Sequence, residues 1–417
     1  MTALVINSII GSGVFGLPSE LTRLLGRASP IAMMVAGLAT AAIVLCIAEV
    51  ASQFDEPGGP YLYTRRAFGR FVGIQVAWFS ILAPIAAGAA SASLFIMYLS
   101  GFIPWAGHGW HRVMLLTILI SIPTAANYLG VRSGATLTNV FTVAKLLPLA
   151  LLITLGVVRF GQHFEVLHPT EITSPGVAPW LTALLLLIFA YGGGENALIP
   201  TGEAKEPRHT VPFGLLAGLL ACIIVYTLVQ FVTVATIGTA QTPRPLAQTA
   251  SVLIGRGGAM FVAFAVMLST YGLVSGNILN IPRIACSLSL QGDCPLWVGK
   301  LHPSFNTPAT AILVYAAVVW LLAVTGTYLW LVALTGGAVL VIYAASCGAL
   351  IQLRRQQVKA AALRIPFGRV LSVIGILITA SLLTKLSARE ALLMAITALI
   401  ATANWFWANR REQRAPS

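Results

Sequence analysis

A chain of 417 residues that is 58% hydrophobic and 9% charged lies far from soluble domains, in which about a quarter of residues are charged. Its formal charge of +13 is spread through short segments between apolar runs, which excludes a nucleic-acid partner as the simplest reading and points to membrane topology. The five cysteines (Cys46, Cys222, Cys286, Cys294 and Cys347) lack metal-ligand spacing and are expected to be free thiols.

Apolar runs long enough to cross a bilayer recur from end to end. They predict about twelve helical spans: 2–24, 30–53, 70–100, 112–128, 133–156, 180–203, 211–237, 259–286, 308–325, 328–352, 367–385 and 388–409. The first run starts at Met1 without a charged region ahead of it and without a small-x-small cleavage site, so a retained helix is expected rather than a signal peptide. With no leader before Thr2, a native start upstream of Met1 is also an expectation. The third run is long enough to be tilted or to extend past the bilayer. With the N-terminus inside, sixteen Lys and Arg residues fall in cytoplasmic segments and eight outside, leaving only Lys145 of the 25 within a span. That bias predicts a multi-pass protein of the cell membrane with both termini in the cytoplasm.

Span one contains "INSIIGSGVFGLPSE" (6–20), in which Gly11-Ser12-Gly13 interrupts an apolar helix with poor helix formers. Span six contains "FAYGGGENALIPTGEAKEP" (189–207), interrupted at Gly192-Gly193-Gly194. Two breaks five spans apart predict two five-helix repeats, 1–156 and 180–352. An odd number of helices in each repeat sets the halves in opposite orientations. A 157–179 external loop separates the repeats, and 353–417 adds two helices and a tail. Unwound backbone at membrane depth is tolerated where it lines a cavity. Half-helix N-termini there offer N–H groups to a carboxylate, and the carbonyls ending the preceding half-helices offer acceptors to an ammonium. One site with both features suits an amino acid.

Three motifs carry a resemblance: "GSGVFGLP" (11–18), "PGGPYLYTRRAFG" (57–69) and the broken sixth span. In order and spacing the chain resembles permeases of the amino acid–polyamine–organocation superfamily, in the basic amino acid/polyamine antiporter-like branch. The resemblance implies an all-α, five-plus-five inverted-repeat fold of the LeuT type with two further C-terminal helices. It implies that Ser12 and Gly13 donate N–H groups to the substrate carboxylate, that Gly11 allows close approach, and that Gly193 belongs to the substrate-binding set. The carbonyls of Ile9, Phe189 and Gly192 would receive the ammonium. Phe189 takes the place of an aromatic gate, whereas Tyr191 is either part of that gate or packing.

Lys145, in "NVFTVAKLLPL", lies about twelve residues from either end of its span, roughly 18 Å, too far for its ammonium to reach the interface. Its charge must face the bundle interior or be neutralised. By resemblance it stands where sodium-coupled relatives hold sodium, touching carbonyls near Gly11 and a hydroxyl on span eight, with Ser269, Thr270 and Ser275 as candidates. A purely structural ammonium is the alternative. Glu195 matches an acidic residue tied to proton sensing in arginine/agmatine exchangers, and it serves equally as an N-cap for the second half of span six. Glu49 and Glu203 are expected to form salt bridges with residues such as Arg65 or Arg208. The His108/His111 pair lies in a Trp/Gly-rich loop without an acidic partner, so no metal and no cofactor are expected.

A membrane-embedded enzyme would need a nucleophile or metal constellation, and none is visible. Channels usually build selectivity from rings of one repeated loop. A sensor would have no use for paired glycine breaks. The expected function is secondary transport of an amino acid by alternating access, sodium-independent, through proton symport or exchange with a second amino acid. The small apolar stretch "ILAPIAAGAASAS" (81–93) favours a neutral small-to-medium substrate over a cationic amino acid or polyamine. The expected partners are the substrate, a proton or counter-transported amino acid, the lipid bilayer and a second copy of the chain.

Overall fold

The computed structural model describes residues 2–54, 56, 58–130, 135–160, 175–194, 207–356 and 361–412. Each predicted span has a helix. The first is split into α1 (Thr2–Ile9), the single turn α2 (Gly13–Gly16) and α3 (Pro18–Leu25), with Pro18 at a first-turn position that needs no N–H. There follow α4 (Ser29–Ala51), the short connecting helix α5 (Gly59–Phe68), α6 (Arg70–Leu99), α7 (Gly109–Tyr128) and α8 (Ala135–Phe160). The sixth span begins as α9 (Val177–Tyr191) and breaks at Gly192, which is extended. The rest of that span lies outside the described residues, as do Glu195 and Glu203. The remaining helices are α10 (Pro207–Ile237), α11 (Pro245–Leu290), α12 (Ala309–Thr325), α13 (Tyr328–Gln356), α14 (Gly368–Leu383) and α15 (Ala388–Glu412).

Seven described stretches are both long and apolar enough to cross a bilayer, and α9, α12 and α14 are shorter apolar helices. Span one lacks a long continuous helix because its break divides it. The long third span is confirmed as α6, whose 30 residues reach about 45 Å.

Several packed pairs lie five spans apart: α4 on α10, α6 on α11, α7 on α12, and α2 and α3 on α9. Other contacts do not follow this offset: α6 also packs extensively on α13, and α1 on α10. The core runs through α1, α2, α4, α6, α10 and α13, where residues such as Phe15, Tyr98, Tyr226 and Tyr343 are fully enclosed. All five cysteines are free and buried. No strand occurs among the described residues.

Candidate functional site

The break in span one leaves the last carbonyls of α1 without helical donors. Ile6 O accepts the Ile10 N–H at 2.9 Å, and beyond it the partners come from other helices. Asn7 O accepts the Lys145 ammonium of α8 at 2.9 Å, and Ile9 O accepts the Tyr226 hydroxyl of α10 at 3.0 Å. Ser8 O lies against Gly193, where an added Cβ would sit 2.5 Å from it. Gly193 has φ +102°, so a side chain there would be both strained and obstructed. The other close approach is at Gly13, where a Cβ would meet the Ala190 Cα at 2.8 Å. These two glycines let the broken helices touch backbone to backbone.

A cavity of about 1200 Å³ ends on this junction. Ile9, Gly11, Ser12, Gly13, Lys145, Phe189, Gly192 and Gly193 all line it, so eight of the predicted residues converge in one space. Among the described residues, no backbone carbonyl accepts the Ser12 N–H, while the Gly11 backbone meets the Tyr226 hydroxyl. From α6 the lining takes Arg70, Ala77, Ser80, Ala83, Pro84 and Ala87, of which the last three lie in the small apolar run 81–93. Pro84 removes the donor that the Ser80 carbonyl would otherwise receive, while its own carbonyl accepts Asn277 at 3.2 Å and Tyr315 at 3.0 Å. Among the described lining residues Glu56, at the mouth, is the sole acidic side chain.

The cavity opens toward the end of the bundle that carries α5, where Glu56 and Arg66 are 63% and 56% exposed. The other end is sealed by hydroxyls on span-one carbonyls. Tyr328 donates to Ser12 O at 2.9 Å and Tyr98 to Phe15 O at 3.0 Å, above the Tyr226–Ile9 bond. Ser91 also donates to the Ser12 hydroxyl at 3.0 Å. Phe15, Leu17 and Tyr98 close this end completely.

The mouth is braced by one buried carboxylate. Asp293, in the turn after α11, accepts Arg70 Nε at 2.6 Å, Arg65 at 2.8 Å and the Tyr61 hydroxyl, and Asn404 of α15 donates to its carbonyl at 2.7 Å. Burial, then the hydrogen bond and charge of Asp293, push the Tyr61 phenol well above its usual range, so it remains a donor at physiological pH. A second ion pair ties α4 to α13: Arg354 grips Glu49 through two 2.6 Å bonds, and the Ile365 N–H donates to the same carboxylate at 2.9 Å.

The family model for the amino acid permease matches residues 1–409. The chain belongs to the amino acid permease family. It is 28% identical over 323 residues to the serine/threonine exchanger SteT of Bacillus subtilis (strain 168), a match covering 74% of this chain and 72% of the exchanger. Over 343 residues it is 29% identical to Asc-type amino acid transporter 1 of Mus musculus, covering 78% of this chain and 63% of the relative. The large neutral amino acids transporter small subunit 2 of Oryctolagus cuniculus is likewise 29% identical over 343 residues, covering 77% and 62%. The chain thus spans less than two thirds of these two mammalian relatives. Like other members of its family, the permease is a multi-pass helical membrane protein.

Several expectations are corrected. Tyr191 does not line the cavity of the permease; its ring lies 5.2 Å from that of Tyr226 and its hydroxyl donates to Met33 O at 2.9 Å, which makes it packing. The Ile9 carbonyl already holds the Tyr226 hydroxyl. Lys145 meets Asn7 rather than a span-eight hydroxyl. Thr270 donates back to Val266 O and Met267 O of its own helix, and neither Ser269 nor Ser275 bonds Lys145 among the described contacts. Glu49 pairs with Arg354, while Arg65 serves Asp293 and Arg208 donates to Ser52 O at 2.9 Å. Asn7, Tyr226 and Tyr328 were missed. An amide inside an apolar run, four residues before a break, was the signal for Asn7.

Proposed function

We propose that this permease is a secondary transporter that moves a neutral, small-to-medium amino acid by alternating access. The observation that carries this reading is the cavity ending on two helix breaks, lined by Ser12 and Gly13 at the start of α2 and by a wall of small residues on α6. The names of its relatives, a serine/threonine exchanger and neutral amino acid transporters, support it. Among the described lining residues Glu56, at the mouth, is the sole acidic side chain and Lys145 stands in the wall, so beyond Glu56 the described wall offers a cationic side chain no countercharge, which disfavours a cationic amino acid or polyamine. The pairs packed five spans apart support two inverted five-helix repeats, in 1–156 and 180–352, that rock against each other.

The substrate carboxylate sits on Ser12 and Gly13, its ammonium faces the carbonyls that end α9, and Phe189 closes over it. The Lys145 ammonium, held at the carbonyl end of α1, supplies a fixed positive charge in place of a metal ion, so transport is sodium-independent and runs by exchange or proton symport. The excess of Lys and Arg at the cavity-mouth end supports a cell-membrane protein with both termini in the cytoplasm, open to the cytoplasm in this structure. Leu377 of α14 and Leu399 of α15 are exposed and suit either lipid or a second copy of the chain.

The test is uptake into proteoliposomes of purified protein under separately imposed sodium, proton and internal amino acid gradients, with competition by all twenty amino acids. Uptake driven by internal neutral amino acid or by protons, and indifferent to sodium, is expected. Strongest competition by arginine, lysine or putrescine would overturn the substrate assignment. Sodium-driven uptake would overturn the role given to Lys145.

A further inference from the structure

The Lys145 ammonium donates not only to the Asn7 carbonyl but also to the Asn7 side-chain oxygen, at 3.0 Å. The two acceptors arise differently. The carbonyl is available because Gly11, four residues on, is not helical and leaves it unclaimed. The side-chain oxygen is available only because an asparagine stands in an otherwise apolar helix, at a position that lines the cavity. Its amide N–H groups have no partner among the described residues.

Lys145 is buried, and no carboxylate among the described residues pairs with it. A buried ammonium needs compensation for lost hydration, and neutral oxygens that are well aligned can supply part of it. A backbone carbonyl alone would leave the ammonium free to swing about one contact. Two oxygens from one residue fix it in direction as well as distance, and they do so at the last turn before the break.

We infer that Asn7 is a positioning residue for transport. Its amide oxygen is the second ligand of the Lys145 ammonium and holds that charge against the carbonyl end of α1. Asn7 therefore ties α8 to α1 in the arrangement described here, and the tie must be released or carried along whenever α1 moves. This rests on reading the chain as a transporter.

The experiment is a double-mutant cycle in proteoliposomes, using Asn7→Leu, Lys145→Met and the pair, with Asn7→Asp as the conservative variant. Exchange rates and substrate KM are measured with radiolabelled serine, and the thermal stability of each purified protein is followed in parallel. Asn7→Leu removes the acceptor while keeping volume, so a loss of exchange of about ten- to thirty-fold is expected, as for a hydrogen bond to a charged group. Asn7→Asp, which keeps an oxygen in reach, is expected to recover most of that loss. In the Lys145→Met background, adding Asn7→Leu is expected to change nothing further in exchange or in stability. Equal losses from Asn7→Leu with and without Lys145 would overturn the inference, as would wild-type exchange by Asn7→Leu. If wild type exchanges no amino acid at all, the transporter reading itself falls and the positioning role with it, an outcome the wild-type control separates from the others.

Discussion

Of the charges buried in this permease, Asp293 and Lys145 have surroundings that are opposites. Asp293 is wholly enclosed, yet it is met by two guanidiniums, a phenol and a helix-end turn that together saturate it. Lys145 is enclosed by neutral groups and has two oxygens of Asn7 as its partners. A saturated carboxylate at a junction of α5, α6, α11 and α15 holds elements together. An ammonium balanced only by dipoles, at a helix break and in the wall of a cavity, is left able to interact with whatever enters. Burial alone would not have separated the two roles; the partners do.

This contrast is open to attack. Asp293→Ala should give the largest loss of stability, about 3 kcal/mol, read as a fall in folded yield and in denaturation midpoint. That is the low end for a broken buried pair, because Arg65 is 35% exposed and can rehydrate. Transport per folded molecule should survive it within a few-fold. Lys145→Met should do the reverse, lowering exchange by about a hundredfold or more with folded yield retained, since two acceptors of about 1–3 kcal/mol each are stranded at the moving break. If the two variants behave alike, the distinction fails. Gly193→Ala should cost at least about tenfold in exchange, from a strained positive φ and the clash with Ser8 O. Tyr226→Phe should be mildest, about five-fold, for one neutral hydrogen bond of about 1 kcal/mol to Ile9 O.

The parts of this molecule that could be read from the sequence are those set by local backbone chemistry. Glycine clusters in apolar runs placed both breaks, and the isolated charge in span five placed Lys145 in the cavity wall. Partners across helices were not readable in the same way. Glu49 had several arginines within plausible reach at its end of the bundle, and nothing in its own segment singles out Arg354 on α13. Thr270 was one of three hydroxyls that the resemblance offered to Lys145, but a helical hydroxyl has a carbonyl of its own four residues back, and it took that one. Tyr191 and Tyr226 are both aromatics near a break, and only the packing shows that one reaches Met33 and the other the end of α1.

The three tyrosine hydroxyls that cap Ile9, Ser12 and Phe15 bear on how the molecule spends its idle time. Each bond is worth about 1 kcal/mol net, and opening the sealed end means giving up those that do not re-form. Losing all three would disfavour the reverse-facing empty form by about a hundredfold. An unloaded molecule would then rest facing the α5 end. Inhibitors offered from that side would meet nearly every copy, and those offered from the other side very few.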